Sequence, residues 1–253
     1  MNRVATSSLY KTLFPPAAKR LKGYMVGGGS DGAKFLKLLD DKKGFLLMVF
    51  SNLIVQLGIT YYIMMNYNSM VGSSSKTSLS SIQYYLLLFL QIALILILAL
   101  VPMPSWLKFF VFSVFSASFG VMLSYFRTGP YAIGDNLIQM AVAGTMSIFG
   151  AMFILGALLV MFGIKLGYSF ALFLFFCLLF LIIGRLISMF MGAYSIMMRG
   201  FAVISLVIFS LYIIYDTNHI LQREYYGYFI TASLDYYLDI INVFVNLLSL
   251  NNN

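Results

Sequence analysis

Apolar residues in this chain come in long uninterrupted blocks, not in alternation. The blocks lie at about 44–65, 82–101, 106–127, 135–161, 168–189, 200–221 and 232–250. Each is close to the ~20 residues an α-helix needs to cross ~30 Å of hydrocarbon. Runs such as 86–101 and 170–183 are apolar on every face, whereas a membrane barrel would show short alternating segments. The pattern predicts an all-α polytopic membrane protein, a bundle of seven transmembrane helices. Punctuation agrees with the blocks. Pro102 and Pro104 close the second block and force a tight turn into the third, and Gly129-Pro130 closes the third. The 135–161 block is long and glycine-rich, so it is expected to tilt or bend.

Composition narrows the class. Of 253 residues, 61% are hydrophobic and 9% charged, against about 45–50% and about 25% in soluble domains. So few charges cannot cover a soluble fold, which excludes a secreted domain, a disordered chain and an ordinary cytosolic enzyme. Cys177 is the single cysteine and His219 the single histidine. That excludes an intramolecular disulfide, a thiolate cluster and a multi-histidine metal site. HExxH, GxGxxG and P-loop patterns are absent. Gly27-Gly28-Gly29 follows no strand and reads as a flexible linker. No cofactor is expected.

Charge organises the chain into three parts: a basic N-terminal extension (1–43), the transmembrane domain (44–250) and a polar C-terminal tail (251–253). The extension holds nine of the sixteen Lys and Arg residues and three of the eight acids. Lys108, Lys165 and Arg223 join its side of the membrane, giving twelve basic residues against Lys76, Arg127 and Arg199 opposite. By the positive-inside rule the N-terminus faces the cytosol or the matrix. No cleavable secretory signal is expected, because the first apolar run begins after residue 43.

Residues 1–30 carry Arg3, Lys11, Lys19, Arg20 and Lys22 with no acid, a pattern shared with organellar targeting segments. Such a segment cannot bury enough apolar surface to fold by itself. It would be ordered only against anionic lipid or a partner protein. Tyr225, Tyr226 and Tyr228, followed by Tyr236 and Tyr237, read as an aromatic belt at the inner interface or as a second partner surface. No basic–aromatic pattern supports nucleic-acid binding.

Ionisable groups within membrane spans are functional candidates by default. Four occur here: Arg185, Asp216, Asp235 and Asp239. The last block places Asp235, Asp239, Asn242, Asn246 and Ser249 on one helical face, and the sixth does so with Ser205, Tyr212, Asp216 and His219. Asp216 and Asp239 both fall about 7–11 Å from the inner boundary, so they share a depth and can face each other. Two such carboxylates are rarely both ionised without a cation; they tend to share a proton. Asp235 sits one turn nearer the inner mouth. His219 either titrates beside Asp216 or faces the headgroups. Arg185, near the outer end of its span, is expected to snorkel outward. Stripes on the first block (Asn52, Gln56, Thr60) and the third (Ser113, Ser116, Gly120, Ser124, Arg127) read as packing surfaces.

Two stretches carry a family resemblance. "SLYIIYDTNHIL" and "ASLDYYLDIINVFVNLLSL" resemble the transmembrane Bax-inhibitor motif family. Tyr215-Asp216-Thr217 matches the motif of its penultimate span. Tyr237-Leu238-Asp239-Ile240-Ile241-Asn242-Val243-Phe244 matches the core of its last-span pattern, and Ala141–Gly150 looks like its fourth-span signature. The resemblance implies a seven-helix bundle of Bax-inhibitor type with the last helix central. It implies a pH-sensitive cation leak, mainly of calcium, gated by an aspartate pair that falls on Asp216 and Asp239. Members are also linked to survival signalling.

The ion-path or pH-sensing candidates are therefore Asp216, Asp239, Asp235, His219 and Asn242, with membrane lipids, calcium and protons as partners. Departures from the family pattern leave a second reading open. Span 2 lacks the family's arginine and offers only Gln91, Asp235 replaces a small residue, and the extension is foreign to compact bacterial forms. The alternative is a non-catalytic accessory subunit of a large organellar complex, contacting partners through the basic extension and Tyr225 and Tyr226. The membrane would be the mitochondrial inner membrane or that of the endoplasmic reticulum or Golgi. An enzyme is not expected: no nucleophile–base pair occurs, and the GxGD motif of intramembrane aspartyl proteases is absent.

Overall fold

A computed structural model describes residues 31–71, 81–128, 133–191, 194–222 and 228–251. Within them the chain forms seven helices: α1 Asp31–Val71, α2 Ser81–Leu100, α3 Ser105–Thr128, α4 Asp135–Met161, α5 Tyr168–Phe190, α6 Tyr194–Gln222 and α7 Phe229–Asn251. The helix α1 starts at Asp31, upstream of the first apolar block, and runs unbroken through residues 43 and 44. Its polar first turns are held by spaced charge. Lys34 pairs with Asp31 at 3.3 Å and Lys43 with Asp40 at 2.7 Å, each three residues apart on one face. An acid in the first turn also meets the positive end of the helix dipole.

Five of the helices are long and apolar enough to cross a membrane: α1, α3, α4, α5 and α6. The apolar stretch of α2 is shorter, Tyr85–Leu100. The seventh, α7, carries Asp235 and Asp239 and is covered by neighbours, packing on α1, α3, α4 and α6. Its Tyr236, Tyr237, Val243 and Leu248 are all fully buried. By contrast, α2 and α5 turn large apolar side chains outward, with Phe89 72% and Phe180 80% exposed. Greasy residues outside and hydrogen-bonding residues inside is the arrangement lipid as solvent requires. The chain is an integral, multi-pass membrane protein.

The bundle forms two tightly joined groups, α1 with α3 and α4 with α6, each built on a glycine. A Cβ on Gly120 would lie 2.7 Å from the carbonyl oxygen of Thr60 and 2.8 Å from Ile63 Cβ. One on Gly156 would lie 2.7 Å from Thr217 Cβ and 2.8 Å from the Ile214 carbonyl. Small residues let backbones approach this closely where lipid supplies no hydrophobic drive to association. The stripe on α3 read as a packing surface is one: Ser113, Ser116 and Gly120 all face α1. The helix α4 ends in a Schellman turn. Gly163 takes φ 74, its N–H donates to the Val160 carbonyl, and the Ile164 N–H donates to that of Leu159.

Enlarging Gly120 or Gly156 must therefore push whole helices apart. Gly120→Ala and Gly156→Ala are each expected to cost about 1–3 kcal/mol. Gly150→Ala, which meets open space, should be neutral or slightly stabilising. Thermal unfolding in mild detergent, read beside size-exclusion profiles, checks the order of the three.

Candidate functional site

The site grows from the two faces of α7. At about 100° per residue, Thr231, Asp235, Asp239, Asn242 and Asn246 fall on one side of the helix and Ser233 and Tyr237 on the other. Both sides are polar, and each has its own partner helices.

The first side meets α6. Asp216 of α6 and Asp239 of α7 come within electrostatic and hydrogen-bonding reach of each other. A hydrogen bond between the two would need one proton, because an ionised carboxylate only accepts. Asp239 is 4% exposed, and no N–H or hydroxyl of the described residues reaches its Oδ2. Asp235 lies within electrostatic reach of both members of the pair and of Lys108 on α3. Lys108 Nζ donates to Thr231 Oγ1 at 2.8 Å and sits 6.0 Å from the ring centre of Tyr228. Tyr212 lies within electrostatic reach of both Asp216 and Asp239. Asn242 Nδ2 donates to the Leu238 carbonyl at 2.7 Å, which fixes it along the helix.

At the far end of the same stripe, Arg185 of α5 does not snorkel outward as expected. Its Nη2 donates to Asn246 Oδ1 at 3.1 Å and to the Phe201 carbonyl at 3.5 Å. The physical reason is local: the turn of α7 that faces Arg185 offers an amide oxygen, and lipid offers none.

His219 is brought against Tyr215. Their rings stack 5.5 Å apart at 18°, and Tyr215 in turn meets Phe170 of α5. Asn218, two residues beyond Asp216 and so on the other side of α6, fastens the loop before α5. Its Oδ1 accepts from the Leu166 N–H at 2.9 Å and its Nδ2 donates to the Ile164 carbonyl at 2.9 Å. Lys42 Nζ donates to the Ile220 carbonyl at 3.1 Å, tying the polar start of α1 to the end of α6. Arg3, Lys11, Lys19, Arg20, Lys22, Tyr225 and Tyr226 lie outside the described residues.

The other side of α7 holds a second polar cluster that inspection of the sequence did not assemble. Asn52 Nδ2 donates to Ser233 Oγ at 2.7 Å, and Gln56 Nε2 donates to Ser113 Oγ at 3.2 Å. Tyr237 and Thr60 hydroxyls meet at 2.6 Å. Thr60 Oγ1 also lies 3.1 Å from the Gln56 carbonyl and 3.0 Å from that of Ser116. Its one proton serves those carbonyls, so the phenol donates to Thr60. Tyr236 Oη donates to Thr217 Oγ1 at 3.1 Å. Tyr236 and Tyr237 are thus not an interfacial belt. Both are fully buried, Tyr236 among Phe50, Phe149 and Phe153, and Tyr237 among Phe112, Phe115 and Phe119. The missed signal was the four-residue spacing of Ser233 and Tyr237, which repeats on α7 what Asn52, Gln56 and Thr60 show on α1.

Fold and site together define a polytopic helical membrane protein whose last helix is acidic and hydrogen-bonded to its neighbours. The chain belongs to the Bax1-I family, inhibitor of apoptosis-promoting Bax1, whose pattern it matches over residues 42–253. It is similar to Protein LIFEGUARD 4 of Arabidopsis thaliana, 40% identical over 91 residues, covering 34% of this chain and 36% of that protein. Protein LIFEGUARD 1 of the same plant is 33% identical over 93 residues, 36% of this chain and 40% of its own. An uncharacterized membrane protein of Vibrio cholerae is 36% identical over 78 residues, 31% of this chain and 34% of its own. The matched stretches thus span little more than a third of these relatives' lengths.

The Tyr237–Thr60 bond is testable by a double-mutant cycle. Tyr237→Phe is expected to cost about 0.6–1.7 kcal/mol, the range for hydrogen bonds between membrane helices. Thr60→Val should cost more, because it also removes the hydroxyl's bonds to the Gln56 and Ser116 carbonyls. The double variant should cost less than the two singles summed. Reversible unfolding in mixed micelles measures all three.

Proposed function

We propose that this protein acts in membrane homeostasis by modulating ion passage, as a pH-sensitive cation leak that carries calcium past the Asp216–Asp239 pair. The single observation that carries the reading is the close approach of two acids, Asp216 and Asp239, inside the bundle. A buried pair sharing one proton is a two-state element. With the proton it is held shut by its own hydrogen bond; without it two like charges repel and attract a cation. Asp235 and Asn242 extend the same face toward either side. In this reading all seven helices span the bilayer, α7 runs through the centre, and the lysine-rich end of the bundle faces the cytosol or the matrix. In the same reading residues 1–43 are a basic extension that leads into the transmembrane domain. His219 contributes to the pH response through its stack on Tyr215 next to the pair. Family membership supports the general role; the ion and the residues are our inference.

Calcium flux into liposomes holding the full chain, followed between about pH 6 and pH 8, tests it. Flux should change across that interval, and Asp216→Asn with Asp239→Asn should remove most of the flux and its pH dependence. Absence of flux, or flux indifferent to the paired substitution, would sink the proposal. The accessory-subunit alternative draws on residues 3–22 and on Tyr225 and Tyr226, all outside the described residues, and no described contact favours it. Migration of the endogenous protein in a large assembly on a native gel, lost on deleting residues 1–43, would revive it.

A further inference from the structure

The polar cluster between α1, α3 and α7 disposes of its protons almost completely. Asn52 Nδ2 donates to Ser233 Oγ at 2.7 Å, and the Ser233 proton goes on to the Phe229 carbonyl at 2.6 Å. Gln56 Nε2 donates to Asn52 Oδ1 at 3.3 Å and to Ser113 Oγ at 3.2 Å, and the Ser113 proton goes to the Phe109 carbonyl at 3.0 Å. These contacts fix which way the Gln56 amide points. A flipped amide would set its oxygen against two acceptors, Asn52 Oδ1 and a serine whose proton is already committed. Tyr237 donates to Thr60, whose own proton serves the Gln56 and Ser116 carbonyls.

Two atoms are left over. Gln56 Oε1 and Ser116 Oγ are fully buried, and neither has a hydrogen-bond partner among the described residues. They are complementary, because the amide oxygen only accepts and the serine has a proton to give. They are also neighbours. The Gln56 amide is held at Ser113, and Ser116 follows it by one turn of α3, so both atoms fall between α1 and α3 within a helical turn of each other. Ser116 lies beside the Tyr237 phenol as well. That phenol has given its proton to Thr60, so its oxygen has only lone pairs to offer there.

A buried acceptor without a donor costs more than an ordinary hydrogen bond returns, and native proteins meet such groups with ordered water. The polar groups at this point are amides, hydroxyls and a phenol, all neutral, backed by the rings of Phe112, Phe115 and Phe119 around Tyr237. An occupant must be small, uncharged and able to donate and accept at once. We propose that the junction of α1, α3 and α7 binds one water molecule, which accepts from Ser116 Oγ and donates to Gln56 Oε1 and to the Tyr237 oxygen. Three partners are the usual number for a buried water. The site lies on the side of α7 away from Asp239 and stands independently of the leak reading.

A high-resolution experimental map of the full chain tests it without any substitution. A density peak about 2.7–3.2 Å from both Gln56 Oε1 and Ser116 Oγ is expected. A map that resolves ordered water elsewhere in the bundle and none there, or one with Ser116 Oγ bonded directly to Gln56 Oε1, would overturn the proposal. Solid-state NMR of the full chain in bilayers, isotope-labelled at glutamine, gives a second reading, since polarisation passes from a bound water to the side-chain amide beside it. The Gln56 amide signal, identified by its loss in Gln56→Met, should receive polarisation from water. Ser116→Ala should cut that transfer severalfold. Ser118→Ala, which removes a hydroxyl turned to the Phe115 carbonyl, should leave it unchanged. No transfer to Gln56 in the unsubstituted chain, transfer indifferent to Ser116→Ala, or an equal fall in both alanine variants, which is loosened packing, would each refute the site.

Discussion

A carboxyl group deep in a helical bundle cannot stay charged without help, because transfer of an ion from water to an apolar medium costs far more than any single packing contact returns. It must find a cation, gather donors or keep its proton. Asp216 and Asp239 meet this constraint by turning to each other, and that choice fixes much else. It sets the register of α6 against α7. It requires α7 to sit where α1, α3, α4 and α6 can shield it. It also explains why a helix carrying two acids is so well buried. Phe209 and Ile213 of α6 pack on Val243 of α7 on the far side of the pair, so the apolar contact and the acid contact enforce the same alignment.

With that face committed to α6, the opposite face of α7 must bind α1 and α3, and it does so with hydrogen bonds as well as shape. Ser233 and Tyr237 reach Asn52 and Thr60, while Gly120 lets α1 and α3 close behind them. In lipid such bonds are individually modest, averaging about 0.6 kcal/mol, but they are directional, so they select one rotation of each helix where apolar packing alone would tolerate several. The glycine at position 156, against Thr217, performs the same service one residue from Asp216.

Much of this was legible in the sequence, for an identifiable reason. Lipid demands apolar side chains all round an exposed helix, so spans appear as blocks. A face that escapes that demand, such as Asp235-Asp239-Asn242-Asn246, stands out by its spacing. What was not legible is rotation relative to neighbours. Arg185 near a span end reads as a snorkelling residue until α7 is seen to present Asn246 to it. Tyr236 and Tyr237 near a helix start read as an interfacial belt, because the chain gives no hint that two neighbouring helices rise around them. The start of α1 at Asp31 was hidden too, since a polar helix stabilised by Asp31–Lys34 and Asp40–Lys43 pairs has no apolar block to announce it.

The central claim is that Asp216 and Asp239 face each other across α6 and α7 in the membrane. Paired cysteines at those positions in a Cys177→Ala background, with a protease site introduced between residues 222 and 229, measure it directly. A short bifunctional thiol reagent applied to native membranes should keep the two proteolytic fragments joined, as should the same treatment of cysteines at Phe209 and Val243, which pack together. Linkage at 209 and 243 without linkage at 216 and 239 would mean that the helices meet while the acids point apart, and the account would be contradicted.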